Sequence, residues 1–511
     1  DGKAACILPH GVLFRANAEA VIRKQLIKSG FLKAIIGLPA NLFYGTPIPA
    51  CILFLDKKNS SERKGVFMIN AINGYKKDGP KNRLRDQDVH KIIDTYERLI
   101  DIPHYARMVS FSEISDSKND FNLNLTRYID NARQEDLQNI EGHILGGIPK
   151  LDVDALSEYW KIFPSLRDLL FDTHDRIDFL KLKISYVDLK TTILNHSEFK
   201  LLNKSVIKIF QDWQNKNIPH LQNLEKGSRP KILIKSLSED LLTRFKSISL
   251  IDEYRLYQHL MDYWSEMMQD ECYLISDIGW KDGAKAHEVI KTKNSNNKLV
   301  WPKVPYDYLK KKKRFKSDLL PSSVLIAQYF LTEKKNIENF QNNLVMLEQE
   351  IQEIIEDNNE EEALLFDLIE NEGEKPKITL KSINARLKEI NKDTNFIDEN
   401  EALCKVKILL EQQTELRKKI KYLQGELDTK IESKYSNLEE EEIKKLVINE
   451  RWIKKISFEI NNELELLSQN LTDRIIELAK RYETPLSRLN EDVELISKKV
   501  NEHLSKIGTK K

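Results

Sequence analysis

Leu32-Lys-Ala-Ile-Ile-Gly-Leu-Pro-Ala-Asn-Leu-Phe-Tyr-Gly-Thr-Pro-Ile-Pro-Ala-Cys-Ile-Leu-Phe-Leu55 decides the fold. Two apolar runs, residues 32–38 and 48–55, flank a loop too short to hold a helical crossover, so the second run is expected to return antiparallel to the first. Upstream, residues 4–8 form another apolar run. Between it and residue 32, Ala18, Val21, Ile22 and residues 25–27 recur with helical spacing, and Gly30 is placed as a helix stop. This predicts strand, helix, strand, the crossover unit of a parallel sheet. Downstream, residues 65–70 read as an added strand and residues 108–114 as another. An amphipathic helix is predicted over residues 88–100 through Val89, Ile92, Ile93, Tyr96 and Ile100. Asn73-Gly-Tyr-Lys-Lys-Asp-Gly-Pro80 supplies turn chemistry throughout. Residues 1–130 thus read as the closing half of an α/β domain.

Residues 131–320 are expected to be mostly helical but irregular, with the aromatic stripe Tyr254, Tyr257, Tyr263 and Trp264 as core. The most basic window is residues 303–316, where Lys310-Lys-Lys-Lys-Arg314 lies close to Tyr306, Tyr308 and Phe315. Lysines interleaved with aromatics suit phosphate contact, and a lysine run also suits a merely solvated face. In residues 321–511 the apolar positions settle into steps of three and four. One seam is Ile337, Phe340, Leu344, Leu347, Ile351 and Ile354; a second is Leu409, Leu416, Ile420, Leu423 and Leu427; a third is Leu486, Leu489, Val493, Ile496 and Val500. Heptad seams separated by the acidic residues 358–374, with Asn371-Glu-Gly-Glu-Lys-Pro376 as a loop, predict antiparallel long helices in a bundle or coiled coil.

A chain of 511 residues is long enough for two or three domains. No run reaches the roughly 18 apolar residues of a membrane span, and no signal peptide is evident, so a cytoplasmic location without membrane contact is expected. Cys6, Cys51, Cys272 and Cys404 are too scattered for a zinc site or a disulfide framework, so reduced thiols and no metal are expected. Net charge is +1, which by itself points to no polyanion partner; only the local basic windows do. The chain has no initiator methionine and enters Lys3-Ala-Ala-Cys-Ile-Leu-Pro9, a run typical of a buried parallel strand, almost at once. It is therefore expected to be the C-terminal portion of a longer protein.

In an open α/β sheet, ligands bind outside the carboxyl ends of the parallel strands, where loops converge. Residues 9–15 and 38–49 take that position, combining prolines and glycine with aromatic and amide side chains suited to a flat base. Gly2-Lys-Ala-Ala-Cys-Ile-Leu-Pro-His-Gly-Val-Leu-Phe-Arg15 and residues 35–57 resemble the late methyltransferase motifs of the modification subunits of type I restriction-modification systems. Asn82-Arg-Leu-Arg85, Phe121-Asn-Leu-Asn-Leu-Thr-Arg-Tyr-Ile129 and Asp252-Glu-Tyr-Arg-Leu-Tyr-Gln-His-Leu-Met-Asp-Tyr-Trp264 are also similar to that family.

The resemblance implies the C-terminal strands of a Rossmann-like methyltransferase domain, followed by a helical region and a helical bundle or coiled coil. It implies transfer of a methyl group from S-adenosylmethionine to N-6 of adenine in duplex DNA, the base having left the helix. The family's glycine loop for the cofactor and its Asn-Pro-Pro-Phe or Asn-Pro-Pro-Tyr motif are not found in this sequence, so no catalytic residue is assigned and the chain alone is expected to be inactive. Pro9, Phe14, Phe43, Thr46, Ile48 and Pro49 match positions lining the target-base side of the cleft. Phe54 and Leu55 fall where simpler adenine methyltransferases place an aromatic under the base, with the aliphatic Leu55 the better match. Two readings stand for Phe14 and Phe43: a wall for the base, or packing beneath a loop. His10 is expected to fix a loop by hydrogen bonding rather than act as a base, and His259 to be structural. Arg83, Arg85, Lys310, Lys311, Lys312, Lys313 and Arg314 are candidates for phosphate contact. Implied partners are duplex DNA, a specificity subunit that sets the recognised sequence, a second modification subunit and a restriction subunit, with the heptad helices docking on the specificity subunit. The alternative is a non-enzymatic DNA-binding or assembly protein with a degenerate methyltransferase-like domain.

Overall fold

The computed structural model describes residues 2–130, 136–293, 299–358, 364–369, 376–390, 396–506 and 508. Its contacts divide the chain into two compact units. One comprises residues 1–217, 231–267 and 455–511; the other comprises residues 218–230 and 268–454. This grouping does not follow the three consecutive segments 1–130, 131–320 and 321–511 read from composition, because periodicity identifies a helix without identifying the body that covers it.

In the first unit, the strands are β1 (Lys3–Pro9), β2 (Leu32–Gly37), β3 (Ala50–Asp56), β4 (Gly65–Asn70) and, after the short β5 (Lys76–Asp78) and β6 (Lys81–Arg83), β7 (Ala106–Ser110). The five-stranded sheet has the order β1-β3-β2-β4-β7. β3 is antiparallel to both β1 and β2, β2 is parallel to β4, and β4 is antiparallel to β7. The antiparallel return of β3 is as expected. The crossover needs correction: β1 and β2 point the same way but are not neighbours, since the short 38–49 connection folds β3 back between them. The strand expected over residues 108–114 also stops early. The Ser110 side chain accepts a hydrogen bond from the Glu113 amide and starts a short helix, Phe111–Ser115.

Alternation in the central strands explains both faces of the sheet. Ile35, Val66 and Met68 pack with Leu13, Ile27 and the 121–129 segment, beneath α1 (Ala18–Lys28). Ala34, Ile36, Phe67 and Ile69 face the other way with Ile92 of α2 (Asp86–Arg98), and the Phe54 ring stacks on Tyr96 at 4.6 Å. Phe54 is thus spent on packing. α2 is held in turn by α3 (Glu253–Tyr263): Tyr254 donates to Asp94, and Gln258 accepts from the Gln87 amide. In this stripe Tyr257, Tyr263 and Trp264 are buried. His259 reaches Glu463 at 2.7 Å, a tie from α3 to the long helix Lys454–Arg481. That helix also supplies Leu471, Ile475 and Leu478 to a core with Trp160, Phe163, Leu170 and Ile193. The next helix, Leu486–Lys506, buries none of its residues.

In the second unit the first two heptad seams meet. Helices Leu331–Asp357 and Ile397–Asn437 run antiparallel, as the ion pairs Glu333–Lys430, Glu348–Arg417 and Glu350–Lys405 show in sequence. Ile351, Ile355, Leu403, Val406 and Leu409 lie in their core. Of the expected acidic stretch and its loop, residues 359–363 and 370–375 lie outside the described residues. Among the described residues, the middle of the chain carries, besides helices, two small three-stranded antiparallel sheets. In one of them β8 (Tyr308–Lys310) and β9 (Lys313–Lys316) turn the basic window into a hairpin.

Among the described residues no helix is long and apolar enough to cross a membrane.

Candidate functional site

Because β1, β2 and β4 point the same way, residues 10–15, 38–49 and 71–83 all emerge at one end of the sheet. The β1–β3 register pairs Pro9 with Ala50, and the His10 amide donates to Pro49 O at 2.9 Å. Pro9, Ile48 and Pro49, drawn from two separate sequence segments, are thereby brought side by side. The Thr46 hydroxyl accepts from the Ile48 amide at 3.1 Å and shapes the return of the loop. The far side of the loop is tied to the β5–β6 hairpin. The buried Asn82 donates its side-chain amide to Ala40 O at 2.7 Å and its backbone amide to Asn41 O at 2.9 Å, and Lys81 Nζ reaches Phe43 O at 2.9 Å. Asn41 closes the loop internally by donating to Pro47 O at 3.2 Å. Gly45, at φ 81°, makes the left-handed turn at its tip.

The result is a pinned loop with an exposed apolar rim. Phe14, Phe43 and Ile48 are 46%, 37% and 49% exposed, so each presents part of its apolar surface at the loop rim. The His10 ring meets Phe14 edge-on at 6.5 Å. Its loop-fixing bond comes from the backbone amide and not from the imidazole, whose Nε2 is buried with no protein partner among the described residues. Burial lowers the His10 pKa below its ordinary value, favouring the neutral ring. Asn70, at the carboxyl end of β4, is buried with both side-chain amide atoms unpartnered among the described residues, and Asn82 Oδ1 is likewise unpartnered among them. Three hydrogen-bonding side chains with unused capacity therefore lie at this end of the sheet. Asn70, Asn82, Lys81 and Tyr44 were not singled out from sequence. Asn82 stands inside Asn82-Arg-Leu-Arg85, where the two arginines carry the evident charge.

The cation candidates separate into two groups. Arg83 is exposed on β6, whereas Arg85 forks onto Asp88 at 2.8 and 2.9 Å and caps α2, so its charge is already engaged. In the other unit, Lys310 pairs with Glu432 at 2.5 Å and Lys313 with Glu288 at 2.8 Å. Arg314 lies over the Trp301 and Tyr306 rings at 5.0 and 4.8 Å. Tyr308 and Phe315 stack on each other as hairpin packing. Lys311 and Lys312 form the turn, both at positive φ, and are exposed there without an ion pair among the described residues.

One further feature adjoins the loop. β1 pairs with β3 along its whole length, yet among the described residues no strand covers its other edge. Ala4, Ala5, Cys6 and Ile7 are exposed there, Ile7 by 59%. Sheet edges left in water are ordinarily blunted by charge, proline or a bulge. β1 has only Lys3 at its start and Pro9 at its end.

Residues 1–137 match the N-6 DNA methylase family. The chain is also similar to methylase subunits of type I restriction enzymes. With the MjaVIII subunit of Methanocaldococcus jannaschii it shares 34% identity over 163 residues, 31% of this chain and 28% of the relative. With the MpnII subunit of Mycoplasma pneumoniae it shares 33% over 138 residues, 27% of this chain and 25% of the relative. A solved type I methyltransferase subunit from Streptococcus thermophilus is 42% identical over 25% of this chain and 27% of its own, with a TM-score of 0.24. The chain spans about a quarter of the length of the curated relatives it matches. The matched N-6 DNA methylase segment contains the whole five-stranded sheet and the loops at its carboxyl end.

Proposed function

We propose that this chain is part of the modification subunit of a type I restriction-modification system, which methylates N-6 of adenine in duplex DNA with S-adenosylmethionine. In this reading the sheet is the closing half of a Rossmann-like methyltransferase domain. Pro9, Phe14, Phe43, Thr46, Ile48 and Pro49 form one wall of the pocket that receives the extruded adenine, and the opposite wall comes from strands that pair along β1. The observation carrying the reading is the apolar, unguarded edge of β1 directly beside a pinned, outward-facing loop, within a segment that matches N-6 DNA methylases.

Among the described residues at this end of the sheet, none forms the cradle that S-adenosylmethionine would need. β1, β2 and β4 end in Pro9, Gly37-Leu38-Pro39 and Asn70-Ala71, and none leads through a glycine-rich turn into a helix N-terminus. No step is therefore assigned through the cofactor, and this chain's own contribution is to shape and orient the base side of the site. Lys311, Lys312 and Arg83 serve as sequence-independent phosphate contacts. The specificity subunit docks on the Leu486–Lys506 helix, whose seam is in water, rather than on the first two seams, which cover each other.

Calorimetric titration of the chain with S-adenosylmethionine tests the assignment, with no binding expected. Reading the gene upstream of Asp1 should reveal an open frame encoding Asn-Pro-Pro-Phe or Asn-Pro-Pro-Tyr. Cofactor binding by the chain alone, or a stop codon closing that frame, would overturn it.

A further inference from the structure

Tyr44 stands at the tip of the 38–49 loop with 94% of its surface in water. A loop that merely tolerated an aromatic would let the ring fold back onto Phe43 or Ile48 and recover part of its apolar burial. Here the ring stands in solvent on a loop whose backbone Asn82 and Lys81 hold at Ala40, Asn41 and Phe43, with Gly45 turning the chain immediately after it. Lys81 Nζ, bonded to Phe43 O, also lies 6.0 Å from the Tyr44 ring centroid, a cation–π distance. The hairpin that anchors the loop exposes Lys76, Lys77 and Arg83, with Asp78 opposite Lys81 as its one acid. Four cations against one carboxylate, beside a ring held out in solvent, combine backbone attraction with a stacking platform.

We propose that Tyr44 is a base-stacking residue, on which an unpaired base rests while the β5–β6 hairpin holds the adjoining phosphates. The inference rests on the methylase reading and adds to it a residue outside the pocket wall assigned above. It also divides the labour: the lysines and Arg83 supply affinity for any duplex, and Tyr44 supplies preference for a base already out of the stack.

Fluorescence anisotropy with the full chain tests this, using two short duplexes that differ only in one central bulged adenine. The wild-type chain should prefer the bulged duplex by about ten-fold, within the range of one aromatic–base stack. Tyr44→Ala should abolish that preference while leaving affinity for the paired duplex unchanged, and Tyr44→Phe should keep it. Exchanging Lys76, Lys77 and Arg83 for Gln should weaken both duplexes alike. A preference retained by Tyr44→Ala, or none in the wild type, overturns the role of Tyr44 and leaves the methylase reading standing. Binding of the wild type to neither duplex overturns both.

Discussion

Asn82→Ala isolates the pin that holds the candidate loop outward. Asn82 is 6% exposed and its side-chain amide donates to Ala40 O at 2.7 Å. Removing the donor orphans a half-buried carbonyl, which costs about 1–3 kcal/mol. Against that, the same substitution removes Oδ1, which is itself buried and unpartnered. The net cost falls at the low end, about 1 kcal/mol, or roughly five-fold in the local opening equilibrium. Asn82→Asp is harsher, because it exchanges the donor for an anion facing a carbonyl oxygen, and a further five-fold or more is expected, on the order of a buried charge–dipole clash. Native-state hydrogen exchange reads this residue by residue. The amides of Leu38 and Asn41, which donate to Ala50 O and Pro47 O, should lose protection in the order wild type, Ala, Asp, while those of β4 stay unchanged. Equal effects of Ala and Asp, or a loss spread through β4, would refute the view that Asn82 acts as a local pin.

A Cβ added at Gly37 would lie 2.4 Å from Leu125 Cδ1, so Gly37→Ala should lower the thermal midpoint through overpacking of about 1–3 kcal/mol, partly relieved by Leu125→Ala. At Gly65 the same atom would meet Val109 O at 2.3 Å, and backbone cannot step aside; Gly65→Ala should cost more than Gly37→Ala, with no side-chain rescue. Hydrogen bonds from Arg474 and Arg481 hold the Asp136 carboxyl well below the usual carboxylate range. A depressed folded-state pKa contributes stability above the ordinary value near ~4, lost as pH falls towards the folded value, so Asp136→Asn should flatten the acid limb of a pH–stability curve followed by tryptophan fluorescence. Val493 and Ile496 are 61% and 58% exposed, so changing both to Asp should leave the melting temperature in place but abolish co-purification with a specificity subunit; retained co-purification would move the docking site elsewhere.

What sequence made legible was local. The unbroken apolar run of β4 belongs to a strand covered on both faces, and all six of its residues are buried. The length of the 38–49 loop dictated an antiparallel return. Strand order was not legible, because the insertion of β3 between β1 and β2 is settled by pairing between residues some fifty positions apart, such as Lys3 with Asp56. The heptad steps likewise identified three apolar seams but not their cover: two close on each other, and the third faces water. At the site, the charge of Arg85 suggests phosphate contact, although Asp88 three positions on is the partner a helix start gives it. The fates of Lys310 and Lys313 depended on Glu432 and Glu288, acids that no local pattern connects to them.

The charge and the ring at the sheet end carry different information because they cost the fold differently. An exposed lysine is ordinary, since its solvation is nearly the same with or without the rest of the chain, and Lys76 or Lys77 alone would imply no ligand. A tyrosine held clear of its neighbours forgoes apolar burial that a slack loop could have recovered, and β1 forgoes the pairing of its outer edge. Both costs fall within one stretch of surface, at the end where three parallel-directed strands terminate, and the proposed reading relieves each: strands laid along β1 would complete the sheet, and an unpaired base would cover the ring. Ile7→Lys separates this reasoning from mere tolerance of an apolar edge. With Ile7 59% exposed, the substitution should leave the stability of this chain within about 0.5 kcal/mol, as for other surface changes. It should nonetheless abolish methyl transfer in the assembled subunit, because a lysine would then be buried unpaired against the joining strand. Full activity in that assembled variant would show that β1 is a free edge, and the pocket would need its second wall from another direction.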